Sequence, residues 1–154
     1  MNFNEKLDMK KSKGEVSLVI KRNGKIINEE MHNLILDKAE DITAGLLAGD
    51  SSFEINSVIV GDDNTAITST ATTVLAGHTF TTTDVTKSVS GNVATFVFKL
   101  STSEFNGYDI WQFGLSTGSG VLFSAVSRNP SKTYPIEKDS EVSIEGTWKI
   151  TVEV

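Results

Sequence analysis

Residues 15–25 read EVSLVIKRNGK, and this stretch decides the fold class. Val16, Leu18 and Ile20 alternate with Ser17 and Lys21, the period of two that marks a strand with one buried face. Asn23-Gly24 follows directly. Both residues tolerate the positive φ of a type I′ turn, so the pair is the strongest short signal for a tight hairpin. Lys25–Met31 then reads as the returning strand, giving a hairpin over residues 15–32.

Downstream, one helix is predicted over residues 34–48. Asn33 is its expected N-cap, Leu34, Ile35, Ala39, Ile42, Leu46 and Leu47 recur at helical spacing, and Gly49 is the expected left-handed stop. Everything after it reads as strand and turn. The predicted strands are Ile55–Val60, Leu75–Thr83, Asp84–Val89, Val93–Leu100, Asp109–Leu115, Val121–Ser127 and Glu141–Val154. Gly61-Asp62-Asp63-Asn64, Ser90-Gly91-Asn92 and Ser116–Gly120 read as turns, and Gly146 as a bulge in the last strand. Arg128–Ile136, with Pro130 and Pro135, reads as irregular or edge, and Glu137-Lys138-Asp139 as a solvated turn. Short strands with turn signals every eight to twelve residues favour a mainly β protein. The expected architecture is an antiparallel β-sandwich or flattened barrel of about seven to nine strands. One short α-helix and an N-terminal arm plus hairpin are expected with it. The core is expected from Ile35, Ile42, Leu46, Phe96, Phe98, Trp111, Leu122 and Trp148.

The domain division follows: an arm over residues 1–14 and a single β-sandwich domain over 15–154, of which 53–154 is the sandwich proper. A chain of 154 residues suits one domain and can bury a core without staples. It has no cysteine, which excludes disulfides, thiolate metal sites and cysteine nucleophiles. Charge is unevenly placed. Residues 1–25 hold seven of the 14 basic residues and three acids, net +4, while the remainder is −10. A basic arm can signal nucleic-acid binding, but these lysines are interleaved with acids and the acidic body would repel phosphate. Lys6, Lys10, Lys11 and Lys13 are instead candidates for an interface with an acidic neighbouring subunit. No run approaches the ~18 apolar residues of a membrane span, and residues 1–14 lack the apolar core of a signal peptide.

Catalytic constellations are not apparent. His32 and His78 lie in different elements, away from metal-ligand spacing. Asp62 and Asp63, with Asp50, could offer oxygens to calcium, but without the twelve-residue EF-hand pattern. Gly114-Leu-Ser-Thr-Gly118 resembles a nucleophile elbow in letters only, since Ser116 is expected in a hairpin turn. Asp109 is the one acid next to an apolar strand context. Tyr108, Trp111, Phe113 and Trp148 could form a sugar platform or simply core. No cofactor and no catalytic residue are expected.

Three stretches, in order, resemble a recurring pattern in bacteriophage tail-fibre, collar and baseplate-associated virion proteins. The first is 33–49, NLILDKAEDITAGLLAG, similar to an opening "asparagine, two aliphatics, short helix, Gly". The second is 55–65, INSVIVGDDNT, leading into the Ala66–Leu75 segment. The third runs from Tyr108 to Val154, with Asp109–Leu115, Gly118–Gly120, Val121–Val126, Pro130–Lys138 and Val142–Val152 in the family's order. The likeness is collinear over residues 33–152. It departs at Gln112-Phe113, where the family carries an acid before Gly-Leu, at the Gly61-Asp62-Asp63 turn, and in the added hairpin. The resemblance implies a non-enzymatic structural protein of the virion tail, neck, collar or fibre-attachment region. Its partners would be other virion proteins and copies of itself, with no nucleic acid and no membrane, assembled in the bacterial host cytoplasm. The absence of cysteine fits that compartment. A capsid decoration protein and a carbohydrate-binding module are the competing expectations. An exposed aromatic strip, or calcium at Asp62-Asp63, would favour the second.

Overall fold

The fold is described by a computed structural model that covers residues 12–71 and 76–153. Eleven strands and one α-helix follow one another: β1 (Lys13–Arg22), β2 (Lys25–Ile35), α1 (Ala39–Leu47), β3 (Ile55–Gly61), β4 (Thr79–Thr82), β5 (Val85–Ser90), β6 (Val93–Leu100), β7 (Tyr108–Ile110), β8 (Gln112–Thr117), β9 (Leu122–Ser127), β10 (Ile136–Lys138) and β11 (Val142–Thr151). Nine strands form one antiparallel sheet in the order β4-β3-β8-β9-β2-β1-β11-β6-β5, and β10 pairs with β7 separately. The protein is mainly β, and the nine-stranded sheet bends into a nearly closed, flattened barrel, as the strand alternation predicts.

The bend is made by β2. Its residues from Lys25 to Asn33 pair with β1, while Leu34 and Ile35 pair with Ala125 and Ser124 of β9. One layer is therefore β2-β1-β11-β6-β5 and the other β2-β9-β8-β3-β4. The hairpin β1–β2 turns at Asn23 (φ 50°) and Gly24 (φ 78°), the left-handed pair that the sequence requires.

Alternation sets the core. Val16, Leu18 and Ile20 of β1, Val142, Ile144, Trp148 and Ile150 of β11, and Phe96, Phe98 and Leu100 of β6 all point inward and are buried. They meet Val58, Val60, Phe113, Leu115 and Phe123 from the other layer. Phe98 packs at tilted ring angles against Phe113 and Trp148, with centroids 6.1 and 6.4 Å apart. A second cluster of Leu36, Ile59, Leu122 and Ala125 lies on the opposite face of the β3–β8–β9 layer, covered by Ile67 and Ala71. Those strands are buried on both faces, which is why β8 shows no exposed position.

Several expectations are corrected. Asn33 is not a helix cap: β2 runs through Leu34 and Ile35, and α1 begins at Ala39. The Asn33 side chain donates to Ser124 Oγ, and Ser124 Oγ donates to the Leu34 carbonyl, so pairing across the layers overrides local capping preference. The helix does stop as expected. Gly49 is left-handed (φ 79°), with Gly49 N–H donating to Leu46 O and Asp50 N–H to Gly45 O, the two bonds of a Schellman motif. Leu46 is 40% exposed and is not core.

Gly146 makes no bulge, because the register runs unbroken through Leu18, Gly146 and Phe98. It is glycine because a Cβ there would collide with the Phe98 ring. Asp109–Leu115 is not one strand. It breaks at Trp111, which is half-buried, and β7 and β8 go to different sheets. Ser116 lies in β8 rather than in the turn and is fully buried. Glu137-Lys138-Asp139 is not a solvated turn: Glu137 and Lys138 belong to β10, and Lys138 is buried. Only Thr79–Thr82 of the expected strand 75–83 is strand, and Leu75 lies outside the described residues. The arm expected to end at residue 14 yields its last residues to the sheet. Lys13 and Gly14 pair with Thr151 and Ile150, and Ser12 Oγ donates to the Glu153 carbonyl.

Candidate functional site

The carboxylates that could hold calcium are engaged locally. Asp62 Oδ1 accepts the backbone N–H of His78 at 2.7 Å, and Asp62 Oδ2 lies 2.8 Å from His78 Nδ1. Asp63 Oδ1 accepts the Thr65 N–H at 2.7 Å, and hydrogen bonds with Thr65 hold its carboxyl below the usual carboxylate range. Asp50 caps the one-turn 3-10 helix Ser51–Phe53 through Ser52, which lowers its pKa in the same way. Asp63 and Asp50 each stabilise their own turn, while Asp62 ties the end of β3 to His78 ahead of β4. Among the described residues, no group of three or more His, Cys, Asp or Glu side chains is arranged to hold a metal.

The aromatic candidates do not form a strip. Trp148 and Phe113 are fully buried, and Trp111 is half-buried. Tyr108 is instead the middle of a short ladder, with His78 stacked on one side at 4.6 Å between centroids and Phe105 on the other at 5.0 Å. His32 lies exposed on β2, and Asp109 is exposed on β7. Ser116 Oγ donates to the Thr117 carbonyl at 2.7 Å and serves the β8 end rather than a nucleophile's role.

Two features were not read from the sequence. The first is a buried ion pair. Arg128 is fully buried just after β9, and its two terminal nitrogens donate to the Glu29 carboxylate on β2. Arg128 Nε donates to the Tyr134 carbonyl at 3.1 Å, and the guanidinium lies 5.4 Å from the Tyr134 ring centroid. The pair lies beside a cleft of about 300 Å³ that also includes Ile20, Ile27 and Arg22. Glu29 sits in a strand of mixed polarity, so its alternation did not flag it as buried.

The second is an unfinished side of the barrel. Strands β4 and β5 end the sheet order without pairing with each other. On β5, Val85, Lys87 and Val89 face the inner side, opposite Phe98, Phe96 and Ala94 of β6. Val89 is nevertheless 76% exposed, because nothing among the described residues covers that end of the inner face. There an apolar groove of about 330 Å³ opens between Leu46, Ile55, Val89, Ala94 and Phe96. Across it, Lys87 Nζ and Glu54 Oε2 stand 3.9 Å apart with both side chains half-exposed.

Of the interface candidates, Lys13 is exposed at the start of β1, and Lys6, Lys10 and Lys11 lie outside the described residues. Among the described residues no helix is long and apolar enough to cross a membrane. No family model, curated protein or solved structure matches this chain.

Proposed function

We propose that the protein is a non-enzymatic structural subunit of a bacteriophage virion, in the tail, neck, collar or fibre-attachment region. It acts through contacts with copies of itself and with other virion proteins. The observation that carries this reading is the unfinished side of the barrel: a strand edge that no described residue pairs with, beside an open apolar groove. Such an edge is a template for pairing with another chain, and the apolar groove beside it offers that chain a surface to bury. The collinear resemblance over residues 33–152 supports the place of assembly. Of the two tryptophans whose burial would count against a sugar-binding reading, Trp148 is fully buried and Trp111 half-buried, which favours assembly over a carbohydrate platform. Antiparallel β domains of this kind tolerate repetition around a ring or along a trimer axis.

The test is particle composition. Virions purified from the producing host, split into head and tail fractions, should carry the protein in the tail fraction at a copy number set by a symmetric ring or trimer. Recovery with heads alone would make it a decoration protein. Absence from particles would overturn the reading.

A further inference from the structure

We propose that residues Phe3–Leu7 of one copy add as a strand, in a second copy, to the edge of β5 that no described residue pairs with. Glu5 pairs with Lys87, one of Phe3 and Leu7 enters the groove beside Val89, and the other packs at Val85. This rests on the assembly reading above and names the partner and the register.

The acceptor comes first. β5 has six residues and one strand partner, β6, so the backbone groups of its other edge have no ladder among the described residues. Its inner-face positions read Val85, Lys87, Val89: apolar, basic, apolar. An inward-pointing lysine on an edge blocks indiscriminate pairing, because an apolar strand laid there would bury an unpaired charge. A strand with an acid at the matching position meets no such obstacle. The present partner of Lys87 is the half-exposed Glu54 at 3.9 Å, a contact worth at most about 1 kcal/mol and easily exchanged.

The donor is in the chain. Residues 2–10 read NFNEKLDMK. Phe3, Glu5, Leu7 and Met9 fall on one side of the period of two, against Asn2, Asn4, Lys6, Asp8 and Lys10. Phe3-x-Glu5-x-Leu7 is apolar, acidic, apolar, the complement of Val85-x-Lys87-x-Val89 in either strand direction. Only one of the two sides carries this pattern.

Reach decides which copy supplies it. Ser12 is fixed beside β11 by its reciprocal bonds with Glu153. A strand beyond β5 lies four strand spacings from β1, about 19 Å sideways. With Leu7 seated, five Cα steps remain to Ser12, about 17 Å when taut. That chain must also pass round the ends of β11 and β6 rather than through them. Measured along the sheet the taut arm falls short of its own edge, and the detour lengthens the path, so we assign it to the groove of a neighbour.

The protein has no cysteine, so a cross-link reports only the introduced pair. Full-length Glu5→Cys and Lys87→Cys variants, mixed in concentrated solution and oxidised, should give a disulfide-linked pair of one copy of each. Lys21→Cys in place of Lys87→Cys should give none. A linked pair that forms equally with Lys21→Cys, or no linked pair, would overturn the proposal. So would a chain carrying both cysteines that closes only on itself. As a second readout, Glu5→Lys alone and Lys87→Glu alone should each weaken self-association by about fivefold in sedimentation equilibrium. The doubly reversed chain should regain it, and failure to regain it would overturn the pairing of these two residues. A chain that enters particles without cross-linking refutes the arm alone. One that cross-links but is absent from virions refutes the virion reading alone.

Discussion

The two sides of the barrel are built from the same alternation and end differently. Where β2 passes from one layer to the other, the inner face is sealed, and Val16, Leu18 and Ile20 are at most 5% exposed. On the far side β4 has four residues and β5 six. Each has a ladder on one side alone, β4 with β3 and β5 with β6. Near the β4–β5 connection, Thr82 Oγ1 donates to the Lys99 carbonyl, and Lys99 N–H to the Asp84 carbonyl. There an inward valine stays 76% exposed. Alternation specifies which way a side chain points. Whether a second layer waits for it is decided by chain left over to form one.

The sealed side should be the harder to injure quietly. Glu29→Gln leaves the fully buried Arg128 guanidinium without its counter-charge, and such a break costs about 3–5 kcal/mol. Urea unfolding should show that loss. Replacing both partners, as Glu29→Leu with Arg128→Met, should recover most of it, since a packed apolar pair often equals a buried ion pair. If the double variant is as unstable as Glu29→Gln, the Arg128 contacts with Tyr134 carry the site rather than the charge pair.

Next in size is Gly146→Ala. The added methyl meets the Phe98 ring at the centre of the core, and overpacking of this kind costs about 1–3 kcal/mol. Thermal melting should fall accordingly. A neutral result would mean that Phe98 can rotate away from Trp148, and that the sealed side is softer than its burial suggests.

Gly146 also shows where sequence reading stops. A glycine inside a strand signals either a bulge or a close approach, and the letters of β11 do not tell which ring lies across from it. The hairpin at Asn23-Gly24, the strand faces of β1, β6 and β11 and the helix stop at Gly49 were legible, because each is fixed by neighbours within a few residues. Asn33 was misread because its partner, Ser124, lies 91 residues away. Glu29 and Arg128 are 99 residues apart and were invisible for the same reason. At the candidate site, the arm's charge was legible. The groove was not, since an empty place beside β5 is a property of what β4 fails to cover.

Acid sharpens the comparison on the sealed side. Asp139 accepts the Glu141 backbone N–H at 2.9 Å and pairs with Arg22 at 2.8 Å. The Glu141 bond first, then the Arg22 guanidinium, hold its carboxyl below the ordinary value of 3.8. As pH falls, the unfolded chain takes up the proton first, so this stability is present above about pH 4 and is lost on going lower. Asp139→Asn should therefore flatten the stability profile below pH 4 and leave its shape near neutrality unchanged. Urea midpoints across that range test it, and an unaltered acid limb would mean that Asp139 is not held in the ionised form.

The smallest effect belongs to the open side, and it separates folding from assembly. Val89→Thr keeps the β-branched shape that suits a strand and changes an inner-face residue that is mostly in water, so stability should move by less than about 0.5 kcal/mol. The same change at Val16, with the same nominal orientation but 0% exposure, would bury a hydroxyl and cost about 1–3 kcal/mol. Comparing the two by urea unfolding measures how far the inner face is left uncovered in the single chain. If Val89→Thr costs as much as Val16→Thr at high protein concentration and little at low, a second chain covers β5. If the cost is high at every concentration, the chain covers that edge itself, and the open side closes within one molecule.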